Sequence, residues 1–191
     1  MITSYEQTNG YLTGQLLIAM PQMQDPRFLK SVIYICVHNQ EGAMGLVVNK
    51  LVGSIGFKDL LQELNITSNI NFSLPIYSGG PIEPNRGFVL HSTDYQETNT
   101  ISINNNLALT ATINVLRSIA DGQGPQKRLI TLGYAGWGPG QLDQEIHENG
   151  WLNLETDENI LFEVNYEKKW EHAIQKIGAN VGHLSSEIGH A

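Results

Sequence analysis

The segment that most constrains the fold is Ser31–His38, which reads SVIYICVH. In a β-strand, alternate residues point to opposite faces of the sheet, and here both alternating sets are mainly apolar. A strand that is apolar on both sides is typical of a central position that is covered on both faces. Ser31–His38 therefore predicts a central strand of a buried sheet.

The rest of the chain alternates short strands with helical patterns. Strands are predicted at Gln15–Met20, Gly45–Asn49, Leu74–Ser78, Gly87–Ser92 and Arg128–Tyr134, and a late hairpin is predicted to pair Trp151–Glu155 with Ile160–Val164. Apolar residues at helical spacing predict four amphipathic helices. They are Phe57–Leu64, Leu107–Ala120 with cap candidates at Asn104–Asn106, Gly138–Gly150, and a helix carrying Trp170–Ile177, capped by Asn165 and stopped by Gly178.

Short strands mixed with about four amphipathic helices predict a fold that combines a β-sheet with helices packed on it. The 191 residues, of which 41% are apolar, match one compact domain spanning 1–191. Residues 179–191 contain few large apolar side chains, and we expect them to form a flexible tail. His183 and His190 in that tail have no acidic or cysteine companions at ligand spacing, so we expect them to be solvated.

The single cysteine, Cys36, excludes an internal disulfide and any zinc site built from several cysteines. The first ten residues are polar and carry no Lys or Arg, unlike a secretory signal. The strongest apolar run, Val32–Val37, has six residues, far fewer than the roughly 18 needed to span a membrane. We therefore expect a cytoplasmic protein with a reduced thiol.

Motifs of the common catalytic mechanisms are missing from the sequence. It contains no GxSxG nucleophile elbow, no HExxH pair and no phosphate-binding GK[ST]. We accordingly expect no metal and no cofactor, and the sequence identifies no catalytic residue.

Two histidines have neighbours that could carry chemistry. Cys36 and His38 share one face of the predicted strand and could form a thiol–imidazole pair, although such residues stand about 7 Å apart. His91 precedes Ser92-Thr93-Asp94, so it could act as a general base with an orienting carboxylate. In both places a structural interpretation is favoured, as a buried thiol for Cys36 and as a turn for the segment after His91.

The most unusual composition occurs at Leu132–Leu142, where four glycines surround Tyr134 and Trp137 between a strand and a helix. Such a loop could line a ligand pocket, since glycine permits close backbone approach and a helix start offers free N–H groups. It could equally be a tight turn that admits the two rings into the core. Polar and aromatic residues at the predicted strand ends and at this loop are candidates for a ligand or partner site: Asn49, Ser78, Arg86, His91, Tyr134, Trp137 and Gln141.

The charge pattern argues against direct recognition of nucleic acid. The formal net charge is −8, and neither half of the chain has an excess of Lys and Arg. Between Arg128 and Lys168 there is no Lys or Arg, whereas acids occur at Asp143, Glu145, Glu148, Glu155, Asp157, Glu158 and Glu163. Such a surface could attract a basic partner.

Several blocks, in order along the chain, carry a family resemblance. They are Leu12–Pro21, Asp25–Phe28, Ser31–Cys36, Gly42–Lys50, Gly79–Pro81, Arg86–His91 and the Gly-Tyr-Ala-Gly-Trp segment 133–137 with Gln141-Leu142. With these blocks the chain resembles the YqgE/AlgH family of bacterial proteins from about Leu12 to about Ile177. The resemblance implies one α+β domain, with a mixed β-sheet core and about four amphipathic helices packed outside, in agreement with the pattern of strands and helices above. Through a family name tied to alginate synthesis, it also implies a regulatory role. It supplies no catalytic residues.

Two hypotheses follow. The first is a non-catalytic intracellular regulatory protein that binds an unknown protein partner or a small ligand, without direct DNA contact. The alternative is an enzyme of unknown reaction with a pocket near the Gly-Trp loop. They differ in whether the seven candidate side chains converge on one concave pocket.

Overall fold

One curled sheet of ten strands organises the structure. The computed structural model describes residues 11–69 and 71–188, with side chains up to residue 178. The strands are β1 Gln15–Ala19, β2 Val32–Asn39, β3 Gly42–Val47, β4 Leu51–Gly56, β5 Pro75–Ser78, β6 Ile82–Ser92, β7 Ile101–Ser102, β8 Leu107–Thr110, β9 Arg128–Trp137 and β10 Trp151–Glu155. The helices are α1 Phe57–Glu63, α2 Ile113–Ala120, α3 Gln141–His147 and α4 Lys169–Ile188, with a π-helical turn at Asn159–Glu163 and a 3-10 turn at Tyr166–Lys168.

The sheet is mixed, as the family resemblance implies. Its main path runs β10-β1-β2-β3-β9-β6-β8-β7, and each neighbouring pair along it is antiparallel. Beside this path, β5 pairs in parallel with β9 and antiparallel with β4. The prediction of an α+β fold with helices outside a mixed sheet is confirmed.

Both faces of the central strands are buried. In β2, Val32 and Tyr34 belong to one apolar cluster, whereas Ile33 and Ile35 belong to another on the opposite face. Trp170 of α4 packs against the first cluster, and Leu142 of α3 belongs to the second. A third cluster packs α1 and α2 against β5, β6 and β9. The double-sided apolar pattern of Ser31–His38 therefore has the predicted cause.

The predicted late hairpin is wrong. Strand β10 instead pairs with β1, with Leu17 opposite Asn153, and the second half of the hairpin is the π-helical turn. Ile160 and Leu161, which are adjacent, are both buried in the same core cluster. A strand sends adjacent side chains to opposite faces, so a helical turn suits this pair better.

The predicted helix Leu107–Ala120 is wrong in its first half. Residues Leu107–Thr110 are all buried and form β8 against β6, and the helix begins only at Ile113. Asn104 does not cap a helix, because its side-chain oxygen accepts the main-chain N–H groups of Asn106 and Leu107 in a turn before the strand.

The Gly-Trp segment is a strand for most of its length, because β9 continues to Trp137. Glycine is required where β9 crosses the Gly79-Gly80 turn. A Cβ on Gly79 would stand 2.3 Å from the carbonyl oxygen of Gly133. At Gly133, where φ is +78°, a Cβ would stand 2.5 Å from the carbonyl oxygen of Gly80. Close crossing of two backbones therefore explains these glycines.

The last two helices differ from their predicted limits. Helix α3 begins at Gln141 rather than Gly138, because Gly140 has a left-handed φ of 72° that no helix residue adopts. Asn165 caps the 3-10 turn by accepting from Glu167 N, and α4 then passes through Gly178 to Ile188. The predicted stop at Gly178 is wrong, since one glycine costs a long helix only about 1 kcal/mol. Flexibility of 179–191 stays a prediction, and His183 and His190 lie outside the described side chains.

Candidate functional site

A groove of about 390 Å³ opens where the end of β9, helix α3, the start of β10 and the segment 21–31 meet. We call it the tryptophan groove. Its apolar lining is Met23, Phe28, Ile82, Trp137 and Trp151. The two indoles meet edge to face at 6.2 Å, and Phe28 meets Trp151 edge to face at 5.6 Å. Aromatic packing thus fixes the groove's base before any ligand is present.

The turn between β9 and α3 is built by Gln141. Its side-chain oxygen accepts the N–H of Gly138 at 3.0 Å, and its amide nitrogen donates to Glu145 Oε1 at 2.9 Å. This one side chain therefore ties the end of the strand to the first turn of the helix and fixes the carboxylate that follows one turn later.

Glu145 lies at the centre of the groove's hydrogen bonding. Its Oε2 atom accepts the indole N–H of Trp137 and that of Trp151, each at 2.9 Å. With the bond from Gln141, three of the roughly four acceptor positions of a carboxylate are in use. One lone pair remains, and the three neutral donors hold the carboxylate in a fixed orientation.

Glu145 forms no ion pair within the described part of the chain, although the charge of Arg27 on the opposite wall interacts with it across the groove. The ion pairs found among the described residues include neither Glu145 nor its groove neighbour Glu148. Glu148 accepts a hydrogen bond from Gln144, which is also neutral. The helical side of the groove therefore carries two acidic side chains without a bound cation.

The opposite wall is formed by the segment 21–31. Asp25 and Arg27 form a salt bridge of 2.7 Å, and the Arg27 guanidinium lies 5.4 Å from the centre of the Phe28 ring. The hydrogen bond from Arg27 lowers the pKa of Asp25, so both side chains stay ionised. Their opposite charges cancel, and the pair adds no net charge to this wall. The groove is thus apolar and aromatic at its base, with a net negative charge on its α3 side.

Comparison with known proteins assigns the family. The family model described as AlgH-like matches residues 16–182. The chain belongs to the AlgH-like family. It is 50% identical over 190 residues to a UPF0301 protein of Afipia carboxidovorans, covering 95% of this chain and 90% of that protein. It is 51% identical over 191 residues to a UPF0301 protein of Bradyrhizobium sp., covering 95% and 88%.

Two solved structures share the AlgH-like fold. The solution structure of the AlgH protein from Pseudomonas aeruginosa matches with a TM-score of 0.78 and 39% identity, covering 98% of this chain and all of that one (100%). The crystal structure of protein DIP2367 from Corynebacterium diphtheriae matches with a TM-score of 0.71 over 88% of each chain. At 19% identity, this second likeness concerns the fold alone.

In this AlgH-like chain, the seven sequence-predicted candidates do not come together. Trp137 and Gln141 line the tryptophan groove. Asn49 lies behind its wall, where its side chain bonds to the main chain at Lys30 and Val32. The other four lie elsewhere on the sheet.

Ser78, Arg86 and Tyr134 belong to the region around β5, β6 and β9. Ser78 is half-buried at the end of β5, and Tyr134 packs its ring edge to face on Phe88 at 5.8 Å. Arg86 is exposed, pairs with Glu83 at 3.3 Å and lies 5.1 Å from the Phe88 ring. Tyr134 thus has a packing partner and Arg86 an ion-pair partner, and none of the three side chains lines the tryptophan groove.

His91 is fully buried, and both of its ring nitrogens are engaged. Nδ1 donates to the carbonyl of Ser92 at 2.8 Å, so Nε2 must accept from the Thr110 hydroxyl at 2.8 Å. Thr110 in turn accepts from Thr100. Burial lowers the pKa of His91 and keeps the ring neutral. Asp94 does not touch this ring but accepts from Ser92 and from the N–H of Gln126, as expected for a turn.

Cys36 and His38 are also structural. Burial raises the pKa of the Cys36 thiol to about 12, which keeps it protonated. His38 Nδ1 accepts the N–H of Leu12 at 3.1 Å, and Nε2 faces Asp143 at 3.4 Å. With one nitrogen occupied by main chain and the thiol buried, these residues do not form a nucleophile–base pair.

Sequence reasoning missed five lining residues of the groove, Met23, Asp25, Arg27, Phe28 and Trp151, and it named Glu145 and Glu148 only as part of a wider acidic surface. One signal was present, since Gln141, Glu145 and Glu148 follow the i, i+4, i+7 spacing of one helix face. Across the part of the chain that the structure describes, no three His, Cys, Asp or Glu side chains cluster as metal ligands. No described helix combines the length and the hydropathy of a membrane span.

Proposed function

We propose that this AlgH-like protein is a non-catalytic regulatory protein whose tryptophan groove binds a basic segment of a partner protein. The observation that carries the proposal is Glu145, a carboxylate fixed by two indole N–H groups and engaged in no ion pair among the described residues. An arginine or lysine of the partner would take its remaining lone pair, and apolar neighbours of that residue would pack on Phe28 and Ile82.

Three further features support a basic protein segment over other ligands. The groove is open and about 390 Å³ in volume, which suits a few side chains of a peptide. Glu145 and Glu148 supply negative charge that complements a cation. The net charge of −8 opposes association with DNA, so a regulatory role would act through protein contact.

The enzyme alternative has no assembled site to support it. The polar candidates are dispersed, and the ring nitrogens of His91 both have structural partners. A pocket with a nucleophile or base within reach of a substrate would favour catalysis. The tryptophan groove instead presents a carboxylate whose oxygens are already held by three donors.

The test is calorimetric titration with the hexapeptide GSFRSG, blocked at both ends. We expect saturable binding that weakens with added salt, and no binding of the neutral peptide GSFQSG. Glu145→Gln preserves the side-chain shape but removes the charge, so it should weaken binding about tenfold. The matched control is Glu155→Gln, at an exposed position in β10. It should change the affinity for the peptide by no more than about twofold.

Two results would contradict the proposal. Equal binding of GSFRSG and GSFQSG would show that the groove does not recognise a cation. If arginine amide alone bound as tightly as the hexapeptide, the groove would be a small-amine site rather than a docking site for a protein segment.

A further inference from the structure

The wall of the tryptophan groove has little regular structure of its own. Segment 21–31 is held internally by single turns, in which Met23 N donates to Met20 O at 2.9 Å and Phe28 N donates to Asp25 O at 3.0 Å. Lys30 has a positive φ of 51°, which a non-glycine residue adopts only when its surroundings enforce it. The position of Phe28 at the groove therefore depends on contacts from outside the segment.

Asn49, just beyond β3, supplies one such contact. Its Oδ1 atom accepts the N–H of Val32 at 2.9 Å, and its Nδ2 atom donates to the carbonyl of Lys30 at 2.8 Å. The amide thus imitates a peptide group and extends the β3–β2 pairing by one step, directly after the main-chain bond from Val48 N to Val32 O. It also holds Lys30 in its unusual conformation.

Lys50 supplies the second contact. Its Nζ atom donates to the carbonyl of Arg27 at 3.0 Å. Burial lowers the pKa of Lys50, while nearby Asp25 acts in the opposite direction and favours the charged form. Together, Asn49 and Lys50 bond to the carbonyls of residues 30 and 27, which flank Phe28 on both sides.

We infer that Asn49 and Lys50 are positioning residues that hold Phe28 against Trp151 and so set the affinity of the groove for the apolar part of its ligand. The inference rests on the proposed function, because it names the residues that shape that same groove. Neither side chain lines the groove. Both act through the main chain of the wall, so their removal costs affinity through the extra ordering that the ligand must then impose.

The experiment compares two peptides on four variants. GSFRSG carries a phenylalanine that can pack on the wall, and GSGRSG offers the same cation without it. Asn49→Asp keeps the acceptor for Val32 but loses the donor to Lys30, and Lys50→Met keeps the aliphatic stem but loses the bond to Arg27. Asn106→Asp and Lys58→Met, both at exposed positions away from the groove, are the matched controls for charge and shape.

The expected result is selective for the peptide. Each of Asn49→Asp and Lys50→Met should weaken the binding of GSFRSG about tenfold and change the affinity for GSGRSG by no more than about twofold. The control variants should leave both affinities unchanged. A general loss of structure would weaken both peptides together. Lys50→Met perturbs the fold less than Asn49→Asp does. Its peptide binding can therefore still be measured if Asn49→Asp folds poorly.

Unchanged GSFRSG binding in Lys50→Met, with Glu145→Gln still weakening it, would overturn this inference and leave the proposed function intact. Equal weakening of both peptides would overturn it as well, since the effect would then not pass through the wall. If Glu145→Gln has no effect on either peptide, the proposed function fails, and the inference fails with it.

Discussion

Lys169 gives a sharp prediction about how stability depends on pH. The residue is 1% exposed, and its Nζ atom donates to the carbonyls of Leu161 at 2.6 Å and Val48 at 3.1 Å. The ring centre of Tyr77 lies 5.1 Å away, and none of the ion pairs in the described part of the chain includes Lys169. Burial without a carboxylate lowers the pKa of Lys169 from 10.5 to about 8.

The direction in which stability changes with pH follows from proton binding in the folded and unfolded states. Between pH 8 and 10.5 the unfolded chain holds a proton at Lys169 that the folded chain has released, so the free energy of unfolding rises with pH. At about 1.4 kcal/mol per pH unit, the full shift is worth roughly 3 kcal/mol, of which somewhat over 1 kcal/mol accrues between pH 7 and 9.

Cys36 opposes this gain at higher pH. Its pKa is 9.0 when exposed and about 12 when buried, so above pH 9 the unfolded thiol ionises while the folded one does not. That difference removes well under about 1 kcal/mol at pH 9 and more above it. We therefore expect a net gain of about 1 kcal/mol from pH 7 to 9, and a stability maximum between about pH 9 and 10.

The assay is urea unfolding at pH 7, 8 and 9, followed by tryptophan fluorescence. Lys169→Met should remove most of the rise with pH, whatever its effect on stability at pH 7; the rest comes from Lys50, whose pKa burial also lowers. Lys168→Met is the matched control, because its neighbouring ammonium is exposed and pairs with Glu171 at 3.4 Å. A wild-type free energy that stays flat or falls from pH 7 to 9 would refute the reasoning, as would an equal rise in Lys169→Met.

Three other measurements test the fold. Gly133→Ala should destabilise the protein by about 2–3 kcal/mol in urea, clearly more than Gly53→Ala, which also has a positive φ but meets nothing within 4 Å; equal losses would mean that the crossing of backbones is not tight. Because burial lowers the pKa of His91, the free energy of unfolding should decline as the pH falls from about 6.5, and His91→Gln, unlike exposed His147→Gln, should remove that decline. The Cys36 thiol should react with an aromatic disulfide reagent only as fast as the protein unfolds, so rapid modification without denaturant would contradict its burial.

The strands that sequence reasoning placed well are those whose patterns are local. Ser31–His38 alternates two apolar sets because β2 lies between two clusters, and this cause acts residue by residue. Where an apolar run is continuous, periodicity cannot separate strand from helix. Leu107–Thr110 looked helical with the residues that follow, and only pairing with β6 makes it a strand.

The groove could not be predicted for a different reason. Phe28, Trp137 and Trp151 come from three separate parts of the chain, and Glu145 gains its role only because both indoles point at it. No local sequence pattern indicates that these side chains come into contact. The sequence did indicate the right neighbourhood through Trp137 and Gln141, which belong to its unusual glycine-rich segment.

The position of β9 has a consequence for how the chain acquires its structure. This strand pairs with β3, β5 and β6, although it begins only at residue 128, and β10 follows it to pair with β1 near the other end of the chain. A ribosome therefore exposes two thirds of the chain before the strand that joins its parts emerges. Such non-local pairing slows folding, and until β9 arrives the edges of β3, β5 and β6 stand open to pairing with other nascent chains.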